Sequence, residues 1–410
     1  MSTESRIAER VARESYGRLL AQLAHRTRDL PQAEDALAEA FAAALSAWPR
    51  TGAPDNPEAW LFQAAKRKLI DFSRRAATAK SGEAELARAA EELEAAMAER
   101  ALPDRRLGLL FACAHPAIDE AARTPLMLQA VLGFSAERIA AAYLAAPAAM
   151  SQRLVRAKRK IKEAGLAFDV PGAEEWPARL ESVLGAVYAA YSEGWSDAEG
   201  SDPVRRDLAE EALWLARVLA AQLPDEAEAK ALVAFMLMLE ARRPARRSRE
   251  GAFVPLDAQD VRLWRQEMIA EAVALMASLA PFAVDAGRIQ LEAAIQHAHL
   301  ARWFSLPVAW ETIAGLYGRL ASLTGSPVAA LNALAARARI EAPGELIDAL
   351  RTLVREAPML QSYQPRWALE ADLCAKAGRI AAARAAYDEA IARERDGAII
   401  AFLNAKRAAL

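Results

Sequence analysis

Residues 133–165, GFSAERIAAAYLAAPAAMSQRLVRAKRKIKEAG, read as two short helices broken at Pro147. Ser135 is placed to cap the first helix, and Ile139, Ala140 and Tyr143 give it a buried stripe at helical spacing. Pro147 cannot extend that helix comfortably but suits the first turn of the next one. Met150, Leu154, Ala157 and Ile161 then recur at three- and four-residue steps as an inward face, which leaves Ser151, Gln152, Arg153, Arg156, Arg159 and Lys160 outside. From Ser151 to Lys162 there are six cations and no acid. A helix that follows a tight turn and carries that charge is built to meet phosphates, the rival reading being an ordinary helical hairpin with a solvated face.

Outward from this segment, the chain has 410 residues, too many for one ordinary core, so two or three domains are expected. Its apolar content is dominated by Ala and Leu, with few β-branched residues, and apolar positions recur with helical period, which predicts an all-α fold. The formal net charge of -2 hides a sorting of charge, because residues 81–99 hold six Glu against the single Arg88 while 151–162 is purely basic. Two cysteines, Cys113 and Cys374, give neither a disulfide framework nor a closed zinc set. No segment reads as a signal peptide or membrane span, so a cytoplasmic location away from membranes is expected.

Helices are predicted over residues 5–29 and about 31–48, followed by a loop forced by Pro, Gly and Asn between Pro49 and Pro57. Asn56 caps and Pro57 opens a third helix that runs through Arg75, in which Lys66, Arg67, Lys68, Arg74 and Arg75 crowd the polar side. Residues 77–104 read as an Ala- and Glu-rich linker, 105–168 as a second compact helical unit holding the helix-turn-helix, and 176–410 as a long helical extension. Near the end, Gly378, Ala383, Tyr387 and Ala390 follow the spacing of a tetratricopeptide helix pair.

Two segments together carry a family resemblance. PQAEDALAEAFAAALSAWP followed by NPEAWLFQAAKRKLIDFSRR resembles region 2 of bacterial extracytoplasmic-function sigma factors of the sigma-70 family, and RTPLMLQAVLGFSAERIAAAYLAAPAAMSQRLVRAKRKI resembles region 4. FACAHPAI, YSEGW, EARRPAR and VPLDAQDVRLW resemble the subgroup with a long tetratricopeptide-like C-terminal extension. The resemblance implies a factor that binds core RNA polymerase, through the β′ clamp helices and the β subunit, and directs initiation at promoter DNA. Polymerase binding falls on Glu34, Asp35 and Glu39, and the pocket for an unpaired base of the minus-ten element falls between Trp48 and Pro57. Further minus-ten contacts fall on the helix of Lys66, Arg67, Lys68, Asp71, Arg74 and Arg75, and minus-thirty-five contacts on Ser151, Gln152, Arg153 and Arg156 with Lys158, Arg159 and Lys160 beside them. Lys68 stands where the family most often has Asn, and Ala148 and Ala149 replace polar residues at the start of the recognition helix. Promoter sequence therefore cannot be copied from relatives.

The alternative is a stand-alone helix-turn-helix regulator with a protein-binding helical repeat domain, and a third reading is a scaffold whose basic helices are only solvated faces. The pairs Cys113/His115 and His297/His299 supply two ligands each, fewer than a metal site needs. Arg242, Arg243, Arg246, Arg247 and Arg249 read as a solvated basic loop, and the scattered tryptophans as packing between helices. No phosphate loop, zinc-protease helix or nucleophile elbow occurs, so neither enzyme activity nor a cofactor is expected. The extension is expected to be regulatory, a surface for a partner protein.

Overall fold

The computed structural model describes residues 3–77, 105–142, 145–166, 168, 171, 173–176, 179–195, 203–279 and 285–410. Among these the secondary structure is helical, with no strand beyond one isolated bridge between Arg247 and Phe253. The chain divides into two compact units, Met1–Ala190 and Tyr191–Leu410. The Glu-rich segment 81–99 lies outside the described residues.

In the first unit, α1 (Thr3–Thr27), α2 (Leu30–Thr51) and α3 (Pro57–Ala77) form a three-helix group. Leu19, Leu20 and Leu23 of α1, Leu30, Leu37 and Trp48 of α2, and Leu61 and Phe62 of α3 are buried, and each such side chain contributes about 1.5–3 kcal/mol. The predicted capping holds at α3, where Asn56 Oδ1 accepts from the Ala59 amide at 3.0 Å. The α2 helix runs one turn further than expected, through Pro49. A proline this close to a helix end forfeits few backbone bonds, and the chain turns only at Gly52, whose positive φ of 79° suits glycine.

The second helical group of this unit comprises α4 (Arg106–Cys113), α5 (Glu120–Ala130), α6 (Ala136–Ala142) and α7 (Pro147–Glu163). The α6–α7 turn matches the sequence reading: Ser135 Oγ accepts from the Arg138 amide at 3.2 Å, and Pro147 opens α7. Met150, Leu154, Ala157 and Ile161 are all buried. Tyr143 lies outside the described residues. The two groups pack on one another, α1 against α4 and α2 against α7. At Gly17 of α1 the approach is so close that a Cβ would lie 1.8 Å from the Val131 carbonyl oxygen just after α5.

The helix α8 (Leu180–Trp195) crosses from the first unit into the second. The second unit continues with α9 (Pro203–Gln222), α10 (Ala227–Arg242), α11 (Gln266–Ala277), α12 (Arg288–His299), α13 (Trp310–Thr324) and α14 (Pro327–Arg337). It ends with α15 (Pro343–Glu356), α16 (Gln364–Lys376), α17 (Ile380–Arg393) and α18 (Gly397–Ala408). From α12 onward each helix packs on its predecessor, while α10 is central and touches α9, α11 and α12. A helix buried on nearly every side must be apolar all round, and Leu232, Val233, Phe235, Met236, Leu237 and Met238 make α10 so. Gly378 takes a left-handed φ of 70° between α16 and α17, and Ala383, Tyr387 and Ala390 are buried where these helices meet.

The basic stretch after α10 is not the solvated loop that its composition suggests. Arg242 is buried, Arg243 pairs with Glu240 at 2.6 Å, and Arg247 forms an ion pair with Asp396, the N-cap of α18. The buried last turn of α10 carries Arg242 inside with it, and Glu240 and Asp396 receive Arg243 and Arg247.

Candidate nucleic-acid interface

In α3, Arg67 is exposed, Lys66 is half-buried, and Lys68 reaches back to Glu39 of α2 at 2.8 Å. The side chains of Arg74 and Arg75 lie outside the described residues. The loop expected to receive a base, residues 52–56, sits beside Trp48, which is 1% exposed and meets Trp60 edge to face at 5.5 Å between centroids. The Trp48 indole N–H is buried without an acceptor among the described residues. The polar rim of α3 is anchored from α1, since the Arg18 guanidinium donates to the Glu58 carboxylate.

On α7, Gln152, Arg156, Arg159 and Lys160 are exposed, and Ser151 and Arg153 are half-buried. Arg153 Nη1 makes only a long contact, 3.5 Å, to the Ala121 carbonyl, and Arg159 faces Glu163 at 3.5 Å one turn on. These side chains belong to the solvent side of an amphipathic helix whose other face is fixed in the core, which is the geometry needed to present cations to a phosphate backbone. Val155, 64% exposed, shares that side and offers an apolar contact among the charges.

Lys158 is different. Its ammonium lies 2.6 Å from Glu34 of α2, and both side chains are largely withdrawn from water. One turn on, Lys162 lies 2.6 Å from Asp29, whose other oxygen caps α2 by accepting from the Gln32 amide at 3.2 Å. Burial pushes the Glu34 carboxyl above its ordinary value, and Asp35 adds to this, while the attraction and hydrogen bond of Lys158 pull the other way. The hydrogen bond to Asp29, with its charge, raises the Lys162 ammonium. Burial raises the Cys113 thiol as well, with the Glu34 charge adding to it, so this cysteine is an inert core residue.

The residues singled out by sequence thus divide into two sets. Gln152, Arg156, Arg159 and Lys160 are exposed on α7, and Asp35 and Glu39 are exposed on α2. Glu34 and Lys158, expected to serve polymerase and DNA respectively, are joined to each other. Sequence periodicity places Lys158 beside the inward-facing Ala157 and could have warned that it lies at the edge of the buried stripe, but nothing in the sequence names its partner. Among the described residues no three His, Cys, Asp or Glu side chains are placed to hold a metal ion, and no helix is long and apolar enough to cross a membrane.

Comparison with known proteins adds three findings. Residues 12–78 match the family Sigma-70 region 2, and residues 179–280 match the Family of unknown function (DUF6596). An uncharacterized protein of Rhizobium meliloti (strain 1021) is 37% identical over 371 residues, covering 89% of this chain and 86% of that protein. No solved structure matches.

Proposed function

Because this chain belongs to the sigma-70 family of transcription initiation factors, we propose that it is a factor of the extracytoplasmic-function type whose C-terminal extension regulates it. A sigma-70 region 2 at the N-terminus supports binding to core RNA polymerase and a role in promoter recognition and initiation. The finer assignment is that α3 and the loop before it hold the melted minus-ten strand, while α7 reads the minus-thirty-five duplex.

The observation that carries this reading is the amphipathic split of α7, with Met150, Leu154, Ala157 and Ile161 buried and Gln152, Arg156, Arg159 and Lys160 exposed. Phosphate contacts from such a helix set its register in a major groove, and side chains at its N-terminal end reach base edges. Opening a promoter then requires a site that keeps a strand from restacking, and a cationic helix beside an aromatic-floored loop suits that task. The protein contributes binding and no bond-making chemistry, and it works in the cytoplasm, where polymerase and promoter are. The extension, with its succession of packed helices and its small-residue contact at Ala383 and Ala390, supports a tetratricopeptide-like repeat architecture that engages a regulatory partner.

The paired residues Glu34 and Lys158 imply that the described arrangement is a closed form. Holding polymerase through Glu34 requires α7 to leave α2. Reconstitution of the full chain with core RNA polymerase, followed by mapping of transcription starts, tests the whole reading. Discrete starts that depend on the added chain are expected, and a chain that neither binds core enzyme nor directs any start overturns it.

A further inference from the structure

Three segments that the promoter reading leaves idle converge in the second unit: Tyr191 at the end of α8, the Glu240–Arg246 run that ends α10, and the segment from Val254 to Trp264. Their polar groups are largely spoken for. Glu240 receives Arg243 at 2.6 and 2.9 Å and the Tyr191 hydroxyl at 3.1 Å, and Asp257 is shared by Arg302 and Arg339. Arg302 also donates to His299 Nδ1 at 3.0 Å, and the Arg302 and Arg339 guanidiniums lie 5.6 and 4.8 Å from the Trp310 ring centroid.

Arg242 is the exception. Only 6% exposed, it donates from Nε to the Met238 carbonyl at 3.1 Å and from Nη2 to Gln296 Oε1 at 2.5 Å, both neutral acceptors, and no described carboxylate pairs with it. Its guanidinium lies 5.9 Å from the centroid of the Trp264 ring, which is stacked on Trp303. Trp264 is 3% exposed, and its indole N–H is buried with no acceptor among the described residues. Two neighbouring groups therefore have donor capacity to spare, and no described carboxylate takes it up. A buried cation without a counter-charge is costly by several kcal/mol, and an orphaned buried N–H by about 1–3 kcal/mol.

We propose that Arg242 and the Trp264 indole N–H together hold an oxyanion, the carboxylate or phosphate group of a small ligand, so that the extension is a ligand-binding domain. One such group supplies both missing acceptors, and a guanidinium is the side chain best suited to grip it. The electrostatics agree. Burial and the charges of Arg246 and Arg302 push Arg242 down to about 10, although Tyr191 and Tyr317 oppose the shift, and an anion relieves that strain. His299, pushed down to about 3 by burial and by Arg242 and Arg302, stays neutral and does not compete for it. Only the consequence for transcription rests on the extension being regulatory; the binding itself does not.

Calorimetric titration of the full chain with inorganic phosphate and, separately, with acetate, each against sodium chloride of equal ionic strength, tests binding without any transcription assay. A saturable heat with one anion assigns the phosphoryl or the carboxylate class, and heat with both assigns a general oxyanion site. Trp264→Phe keeps the stacked ring and removes the N–H, so it should weaken that binding about tenfold or more, as expected for one charge-assisted hydrogen bond. Arg242→Gln should abolish it. Absence of heat beyond the chloride control, or wild-type affinity in a folded Trp264→Phe chain, overturns the inference.

Discussion

Lys158 on α7 and Glu34 on α2 form an ion pair at 2.6 Å, with most of both side chains removed from water. On the function proposed above, two surfaces meant for different partners are thereby closed on each other. Losing one partner of a buried pair leaves an uncompensated charge, so the singles should cost more than the pair is worth. Glu34→Gln and Lys158→Gln should each destabilise the chain, and the double variant should be less destabilised than the sum, by about 1–3 kcal/mol. Urea unfolding of the four proteins measures this coupling; additive effects would show that the contact holds nothing together.

Gly17 provides a separate check on the same closed arrangement. Inside a helix, Gly→Ala ordinarily stabilises by about 1 kcal/mol. Here the added Cβ would lie 1.8 Å from the Val131 carbonyl oxygen, a backbone atom that cannot swing aside. Gly17→Ala should therefore lower stability by about 1–3 kcal/mol, the usual cost of overpacking. A rise in the unfolding midpoint would mean that α1 and the end of α5 do not stay in contact in solution.

What the sequence revealed and what it withheld follow from the range of the interactions involved. The α6–α7 turn was readable because its determinants are local: Ser135 caps, Pro147 starts the next helix, and Met150, Leu154, Ala157 and Ile161 repeat at helical spacing. The exposure of Gln152 and Arg156 followed from the same periodicity. The Lys158–Glu34 pair joins residues 124 positions apart, and a period along one helix says nothing about which helix lies opposite. Arg242 was misread for a related reason. Its charge suggests solvent, but α10 is buried along most of its length from Ala229 to Arg242, and a helix so buried carries its last turn inside with it. The apolar pattern behind this was visible in the sequence and outweighs the local charge.

The DNA-facing assignment of α7 can be separated from its structural role, because Arg156 is exposed and Arg153 makes only a long contact at 3.5 Å. Replacing both with Ala should leave stability within about 0.5 kcal/mol, as for surface residues generally. Protection of the upstream promoter element by holoenzyme should be lost, and the dependence of binding on salt should become shallower as phosphate contacts disappear. Unchanged upstream protection in a folded double variant would remove α7 from promoter recognition.

His299 makes acid sensitivity of the second unit predictable. Burial, Arg242 and Arg302 push its pKa from 6.5 down to about 3, with Asp257 opposing them, and Arg302 donates to Nδ1 at 3.0 Å, which requires the neutral ring. Below about pH 6.5 the unfolded chain binds a proton at this position that the folded chain does not. Stability must therefore fall as the pH drops, by at most about 1.4 kcal/mol per pH unit from this group, until the folded-state value is reached. Carboxylates titrate over part of the same range, so the measurement is the difference between the wild-type chain and His299→Gln, whose amide oxygen can still accept from Arg302. Urea unfolding at intervals between pH 6.5 and 4 should give a steeper loss for wild type. Parallel curves would mean that the ring is protonated in the folded chain, and the neutral partner assigned to Arg302 would have to be abandoned.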